Sequence, residues 1–560
     1  MNTRMWKGFT VAGALCLAVG SCTDLTELPQ SSTTEANVFS DPSSYVSAIA
    51  KVYAGLALSG QQGPAGNPDI SGIDEGFSQY LRLYWETEEL PTEEAVIAWN
   101  DVGLPEMNTG LWNAQSNMVV AMYYRIFLQV ALANEFLRQT TDDKLTARGN
   151  VSTALRLQIR QYRAEARFLR ALSYWHGIDL FGNIPLVTEN DPIGPTPPKQ
   201  ATRVDLYNYV VSELNAIKDS LPPTGPAPDA NSYGRATAPA ANMLLAELYL
   251  NAGVYTGTPD YVNALTAAQA VINSGFYSLD PNYRHLFMAD NNTSPEIIFA
   301  IPFDGLRTQT YGGTTFLVHA SCGAAMSNGN YGVDGCWVGL RMKAQAYHAY
   351  LPPADSAGDR RNAFFFTPDS ALAHGDTTDT NDVKNGTAPT TGIIRQTDSV
   401  FTIGNFHNGI PAPKFTNKAS NGSSGSNLTF PDTDFPVFRL GEAYLIYAEA
   451  NLRGGGGSAA QALTYINQLR ERAFGNTNGD ITAGALTLQF VLDERGRELL
   501  WEAHRRTDLV RYGLFTGNGK LWEWKGGTLA GTTTASFRDL YPLPASELVA
   551  NPNLHQNPGY

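Results

Sequence analysis

Between Leu155 and Ile178 the apolar residues Ala164, Phe168, Ala171, Leu172, Trp175 and Ile178 recur at steps of three and four. Side chains at that spacing share one face of an α-helix, whereas a strand alternates every second residue, so this stretch predicts a long helix with one buried face. It stops at FGNIP, where Gly182 and Pro185 end the helix and open an extended segment. Further helices are predicted over Val204–Ser220, Pro239–Asn251, Tyr261–Asn273, Gly441–Leu452, Ser458–Ala473 and Leu486–His504. On another face of the first helix Arg156, Arg160, Arg163, Arg167 and Arg170 form a stripe. In a chain with 39 Lys+Arg against 53 Asp+Glu, that stripe reads as an ion-paired or solvated face, in preference to an anion track.

The net charge of −14 argues against nucleic acid, whose phosphates require clustered cations. Apolar residues make up 43%, enough for a sizeable core, and no apolar run reaches the length of a membrane-spanning helix. At the N-terminus Arg4 and Lys7 precede an apolar stretch, Phe9 to Gly20, that fits a signal peptide. It closes on Val19-Gly20-Ser21-Cys22, similar to a bacterial lipobox. Residues 1–21 are therefore predicted to be removed and Cys22 to be acylated, which anchors a domain without a spanning helix. The alternative is an ordinary secretory signal with Cys22 a bystander. Asp24 and Glu27 resemble the surface-export signal of Bacteroidetes-type lipoproteins. Cys322 and Cys336 then remain in a compartment that permits a disulfide, but spacing alone leaves the bond open. Two Cys by themselves fall short of a zinc ligand set.

The helices from 204 onward pair through small residues such as Ala240, Ala241, Ala246 and Ala252, similar to tetratricopeptide repeats with a degenerate signature. Five ordered blocks carry a wider resemblance: YRAEARFLRALSYWHGIDLFGNIPLV (162–187), RLGEAYLIYAEANLRG (439–454), ALTYINQLRERA (462–473), DERGRELLWEAHRRTDLVRYG (493–513) and LPASELVANPNLHQNPGY (543–560). They resemble the SusD/RagB family of nutrient-binding outer-membrane lipoproteins of Bacteroidetes. That resemblance implies a mostly α, SusD-like fold, with tetratricopeptide-type helix pairs scaffolding long irregular loops and a few short strands. It implies one glycan-binding domain over 22–560, with an N-terminal half about 22–230 and a C-terminal half about 290–560. It also implies an outer-membrane lipoprotein facing the cell exterior that captures a neutral oligo- or polysaccharide, starch foremost. The partner would be a SusC-like TonB-dependent transporter; no catalysis and no required cofactor are implied. Within the blocks Arg163, Glu165, Arg167, Glu449, Arg470, Arg472, Glu494, Arg497, Glu498, Glu502, Arg505, Arg506, Asp508 and Arg511 alternate in sign, as ion-pair networks between packed helices do.

Function is then expected in the loops. Residues 300–435 are rich in Gly, Thr, Asn, Ser and aromatics with little periodicity, a long irregular insertion of the functional kind. Three stretches resemble starch-binding members of the family: residues 72–112, TQTYGGTTFLVHASCG (308–323) and YGVDGCWVGLRMK (331–343). Sugar rings present flat C–H faces edged by hydroxyls, so aromatic rings cover the faces while polar side chains bond the edges. By that local match Trp99, Tyr311 and Trp337 are the expected stacking platforms, arranged in an arc, with Arg82, Asn100 and Asp101 as polar partners. The competing reading buries these rings in the core. Asp290, Asn292, Asp432 and Asp434 could supply oxygen ligands to Ca²⁺, or be loop side chains at turns. Asp376, Asp379 and Asp382 do not match an EF-hand. A glycoside hydrolase is the main rival: Glu88, Glu89, Glu93 and Glu94 are available as paired carboxylates, but no nucleophile elbow, H-E-x-x-H or P-loop is present. A third reading keeps the fold and changes the cargo to another glycan or a peptide.

Overall fold

Helical caps and apolar faces coincide along most of the chain. The computed structural model describes residues 38–222, 224–350, 358–365, 395 and 397–560; Cys22 and the Asp376, Asp379, Asp382 series lie outside them. Helices α1 (Ser44–Ala57), α2 (Tyr80–Glu89), α3 (Asn117–Gln139) and α4 (Thr153–Leu180) open the fold. The helix predicted from 155 is α4, capped by the Ser152 side chain at its start and stopped where Gly182 turns to φ 71°. From Ala164 to Leu180 nearly every residue is buried, including Arg170 and His176, so α4 is the central rod.

Next come α5 (Arg203–Ile217), α6 (Ala238–Leu250) and α7 (Tyr261–Asn273), whose N-caps are Thr202, Thr237 and Asp260. Each cap satisfies an otherwise orphaned amide and contributes about 1 kcal/mol. After a short helix α8 (Gly313–Ala320), the C-terminal half adds α9 (Leu440–Leu452), α10 (Ala459–Phe474), α11 (Leu488–Leu499) and α12 (Arg505–Arg511). Neighbours pack as antiparallel pairs in sequence order or one step away: α3 on α4, α4 on α5, α6 on α7, α7 on α9, α9 on α10.

The helix expected over Leu486–His504 stops early, at Leu499. Trp501 and Ala503 take φ 60° and 64°, a left-handed conformation that non-glycine residues rarely adopt. Tertiary bonds hold them there: Trp501 Nε1 donates to the Glu94 carbonyl and Trp85 Nε1 to the Trp501 carbonyl, both at 2.9 Å. The amides of Ala503 and His504 donate to one carboxylate oxygen of Glu89.

Two small antiparallel pairings tie distant segments together. β1 (Val96–Ile97) pairs with β3 (Leu340–Arg341), and β2 (Ile297–Ile301) with β4 (Phe435–Arg439), Ile297 facing Arg439 and Ile301 facing Phe435. The expected ion-pair networks lie between the helices. Arg439 reaches Glu296 at 2.9 Å and Glu498 and Glu502 at 2.7 Å; Arg511 reaches Glu449 and Asp508 at 2.7 Å. The arginine stripe of α4 is ion-paired in part: Arg167 and Arg170 share Glu213 at 2.7 and 2.9 Å, while Arg163 donates to the Leu137 carbonyl.

Candidate functional site

β1 delivers the chain to Ala98 and Trp99, and β3 receives it from Trp337 and Val338. The Ala98 amide extends their pairing by donating to the Gly339 carbonyl at 3.0 Å. The segment before β3 is sewn to the end of α8: Trp337 N to His319 O at 2.8 Å, Val338 N to Cys322 O at 3.0 Å, Gly339 N to Ala320 O at 2.9 Å. A Cys322–Cys336 disulfide, Cα atoms 5.1 Å apart, closes the same loop and answers the pairing that spacing had left open. Val338 sits at φ 57°, local strain held by these bonds on either side.

Three half-buried rings result, in a row. Trp99 and Trp337 have centroids 6.3 Å apart with planes inclined 47°; Trp337 and Tyr311 are 6.2 Å apart and inclined 50°. The Trp99 Nε1 donates to the Trp337 carbonyl at 3.0 Å, locking the first pair. Gly339 permits the approach, since a Cβ there would lie 2.9 Å from Trp99 Cζ2. Under Trp337 the His319 imidazole stacks at 4.5 Å and 23°. Burial pulls that imidazole below its ordinary pKa, and its Nε2 faces the Thr429 carbonyl at 2.9 Å. Tyr311 is set by its amide, which donates to Glu75 at 3.1 Å, and by the close backbone of Gly76. Phe430 stands 5.4 Å beyond it.

Asn100 and Asp101 are exposed beside Trp99. Arg82 is not: at 3% exposure it lies one layer beneath, between the faces of Phe77 (3.8 Å) and Phe316 (4.1 Å), paired with Glu86 at 2.9 Å. The expectation of an edge hydrogen bond from Arg82 is therefore corrected: α2 turns it inward, and it supports the platform from below. Phe77, Phe316 and His319 complete that support, and none of them carried a sequence signal apart from lying within the three stretches noted above.

The two loops expected to hold calcium meet, Asn291 bonding the Asp434 backbone, and their carboxylates engage other groups. Asp290 accepts from Ser420, Asp432 from the Gly305 amide and Ser426, and Asp434 from Tyr233 and the Phe303 amide, while Asn292 is exposed. Each of these three carboxylates is already supplied with protein donors. The carboxylates weighed for hydrolysis are core residues, at 0–1% exposure. Glu88 meets Arg506 and Thr507, Glu89 the two amides at the α11 break, Glu93 Arg505, and Glu94 Tyr350. Burial pushes Glu88 up to about 8 and Glu94 up to about 7.

The SusD family model matches residues 295–560. The starch-binding protein SusD of Bacteroides thetaiotaomicron is 38% identical over 539 residues, 91% of each chain. This chain belongs to the SusD family. Among solved structures, surface glycan-binding protein A from Bacteroides thetaiotaomicron superposes with a TM-score of 0.68 at 21% identity, covering 93% of this chain and 100% of that one. The same protein in complex with laminarihexaose gives 0.66 at 21% identity, covering 92% and 98%. At those identities the likeness establishes the fold, mostly α with long irregular loops.

In this SusD-family protein one further group gathers possible metal donors among the described residues: Glu247, Glu442 and His504, with atoms within 4.8 Å of one another. All three are buried, and Arg495 stands 3.6 Å from Glu247. Burial, with Glu247 alongside, drives the Glu442 carboxyl well above the usual range. Among the described residues no helix is long and apolar enough to cross a membrane.

Proposed function

We propose that this SusD-family protein binds a neutral linear glycan along Trp99, Trp337 and Tyr311, with a malto-oligosaccharide as the preferred ligand. The successive ring inclinations of 47° and 50° carry the reading. Three adjoining rings, each inclined to the next, can follow a curve when they turn in one sense, and a helical α-glucan presents a curved string of sugar faces. Asn100 and Asp101, exposed and next to Trp99 in the chain, are the proposed partners for the hydroxyl edges. The 38% identity to a starch-binding relative supports the same ligand class. The family's other proposed features complete the picture. Cys22 carries the lipid that holds the protein on the outer membrane facing outward, and the glycan passes to a SusC-like TonB-dependent transporter beneath. The protein acts by binding alone; the four carboxylates considered for hydrolysis are engaged inside the helical frame.

An open surface of this kind supports a single-site affinity of about micromolar to millimolar, roughly −8 to −4 kcal/mol. Calorimetric titration against malto-oligosaccharides, β-glucans, fructans and mannans tests the assignment, repeated with Trp99→Ala and Trp337→Ala. Malto-oligosaccharide binding that falls at least tenfold in both variants is the expected result. Unchanged affinity in both overturns the arc, and a preference for a β-glucan moves the ligand while keeping the site. A reducing-end assay on starch checks the absence of catalysis; sustained turnover overturns it.

A further inference from the structure

A cavity of about 260 Å³ opens between the 281–284 turn, the 360–364 turn and the end of α10, on segments that contribute nothing to the ring platform. Four arginines line it, Arg284, Arg360, Arg361 and Arg472, with Tyr283 and Phe364 as apolar walls. Two of the four are compensated from behind. Arg361 pairs with Asp359 at 2.7 Å, Glu494 at 2.8 Å and Glu498 at 3.0 Å, and Arg472 pairs with Glu296 and Glu498. Arg360 is exposed and donates to the Ala473 and Arg472 carbonyls at the α10 terminus, so no carboxylate offsets its charge among the described residues. Arg284 has still less. Burial lowers its pKa, and among the described residues Tyr331 opposes that. The Nε atoms of Arg284 and Arg472 are buried without a hydrogen-bond partner.

A guanidinium N–H removed from water without an acceptor is an unmet demand, and charged donors make the strongest hydrogen bonds when an anionic acceptor arrives. Here Arg284 and Arg360, which no carboxylate offsets among the described residues, border one cavity in a chain whose overall charge is −14. We propose that this cavity binds a small oxyanion, through the guanidinium groups of Arg284 and Arg360, the two lining arginines without a carboxylate partner among the described residues. Planar forks suit a sulfate, a phosphate or the carboxylate of an acidic sugar alike. The site is separate from the glycan platform, and its occupancy does not depend on what the platform binds.

Calorimetry on the purified protein with sodium sulfate, sodium phosphate or sodium glucuronate, at ionic strength held constant with chloride, tests it. Saturable one-to-one binding at millimolar concentration is expected for at least one of them. Stronger sulfate or phosphate binding identifies a tetrahedral inorganic anion, and stronger glucuronate binding a sugar acid. Arg284→Gln should weaken the interaction at least tenfold and Arg360→Gln severalfold. The latter sits at an exposed position and carries the same reading if the first variant fails to fold. Arg307→Gln, a control elsewhere at an 80% exposed side chain, should leave the anion affinity unchanged. Malto-oligosaccharide affinity should be the same in all three variants. No saturable binding of any of the three anions, or binding undiminished by both Arg284→Gln and Arg360→Gln, overturns the proposal.

Discussion

Removing the Cys322–Cys336 disulfide by joint substitution to alanine tests how the ring platform is held. The two cysteines are separated by 14 residues, and opening a loop of that size returns about 3 kcal/mol of chain entropy to the released state. Against release stand the three backbone bonds from His319, Ala320 and Cys322 to residues 337–339. At about 1 kcal/mol each they sum to roughly the same figure. With the disulfide the docked loop dominates; without it docked and released forms approach equal free energy. A ligand that needs the docked form then sees its apparent affinity divided by the competent fraction, a loss of about two- to tenfold. Amide hydrogen exchange reads the opening directly: protection at Trp337, Val338 and Gly339 should fall by about two orders of magnitude, since 1.4 kcal/mol is a decade. Protection of α4 and α9 should not change. Full protection of residues 337–339 without the disulfide would refute the reasoning, because contacts alone would then be holding the loop. So would a loss of affinity beyond a hundredfold, which loop entropy cannot supply.

Three further outcomes follow from particular contacts. Burial lifts the Asp434 carboxyl to about 7 from its ordinary 3.8, so the folded state keeps a proton that the unfolded chain has released. Its contribution to stability is full below about pH 4 and is lost as pH rises to about 7, with a slope of at most about 1.4 kcal/mol per pH unit. Asp434→Asn imitates the protonated form and should flatten that slope in urea denaturation across this range; parallel slopes in the two proteins count against it. Gly339→Ala places a methyl 2.9 Å from Trp99 Cζ2 and 3.2 Å from the Ala320 Cβ, so the indole must shift. Glycan affinity should drop about three- to tenfold, near 1 kcal/mol, with the helical circular dichroism unchanged. Arg82→Ala leaves Glu86 buried without its partner and should cost about 3–5 kcal/mol in chemical denaturation, whereas Arg82→Met with Glu86→Leu should cost less than half of that.

The helices with one apolar stripe were legible before any coordinates. α4, α5, α6, α7, α9 and α10 begin and end within a residue or a few of their predicted bounds. α2 was not, because all ten of its residues are buried, Arg82, Glu86, Thr87, Glu88 and Glu89 among them, so its polar residues do not mark a solvent-facing side. The break at Trp501 was also hidden: local propensity favours a continuous helix there, and contacts with Glu94 and Glu89 override it. Arg82 read as a surface donor because a charged residue beside aromatics suits a sugar site. Its partners Glu86, Phe77 and Phe316 become visible only once α2 is packed under the loops.

Sequence alone determined most of the helical frame from α4 onward, the family blocks and the residue types able to meet a sugar face, because periodicity and capping act between residues a few positions apart. Tertiary structure decided the rest: which rings adjoin, which arginines are compensated, and which carboxylates face donors. Trp99 and Trp337 lie 238 residues apart in the chain, and only the β1–β3 pairing and the docking of their loop on α8 bring them within one hydrogen bond. No local pattern encodes that meeting, since its free energy comes from contacts that exist only after the chain has closed.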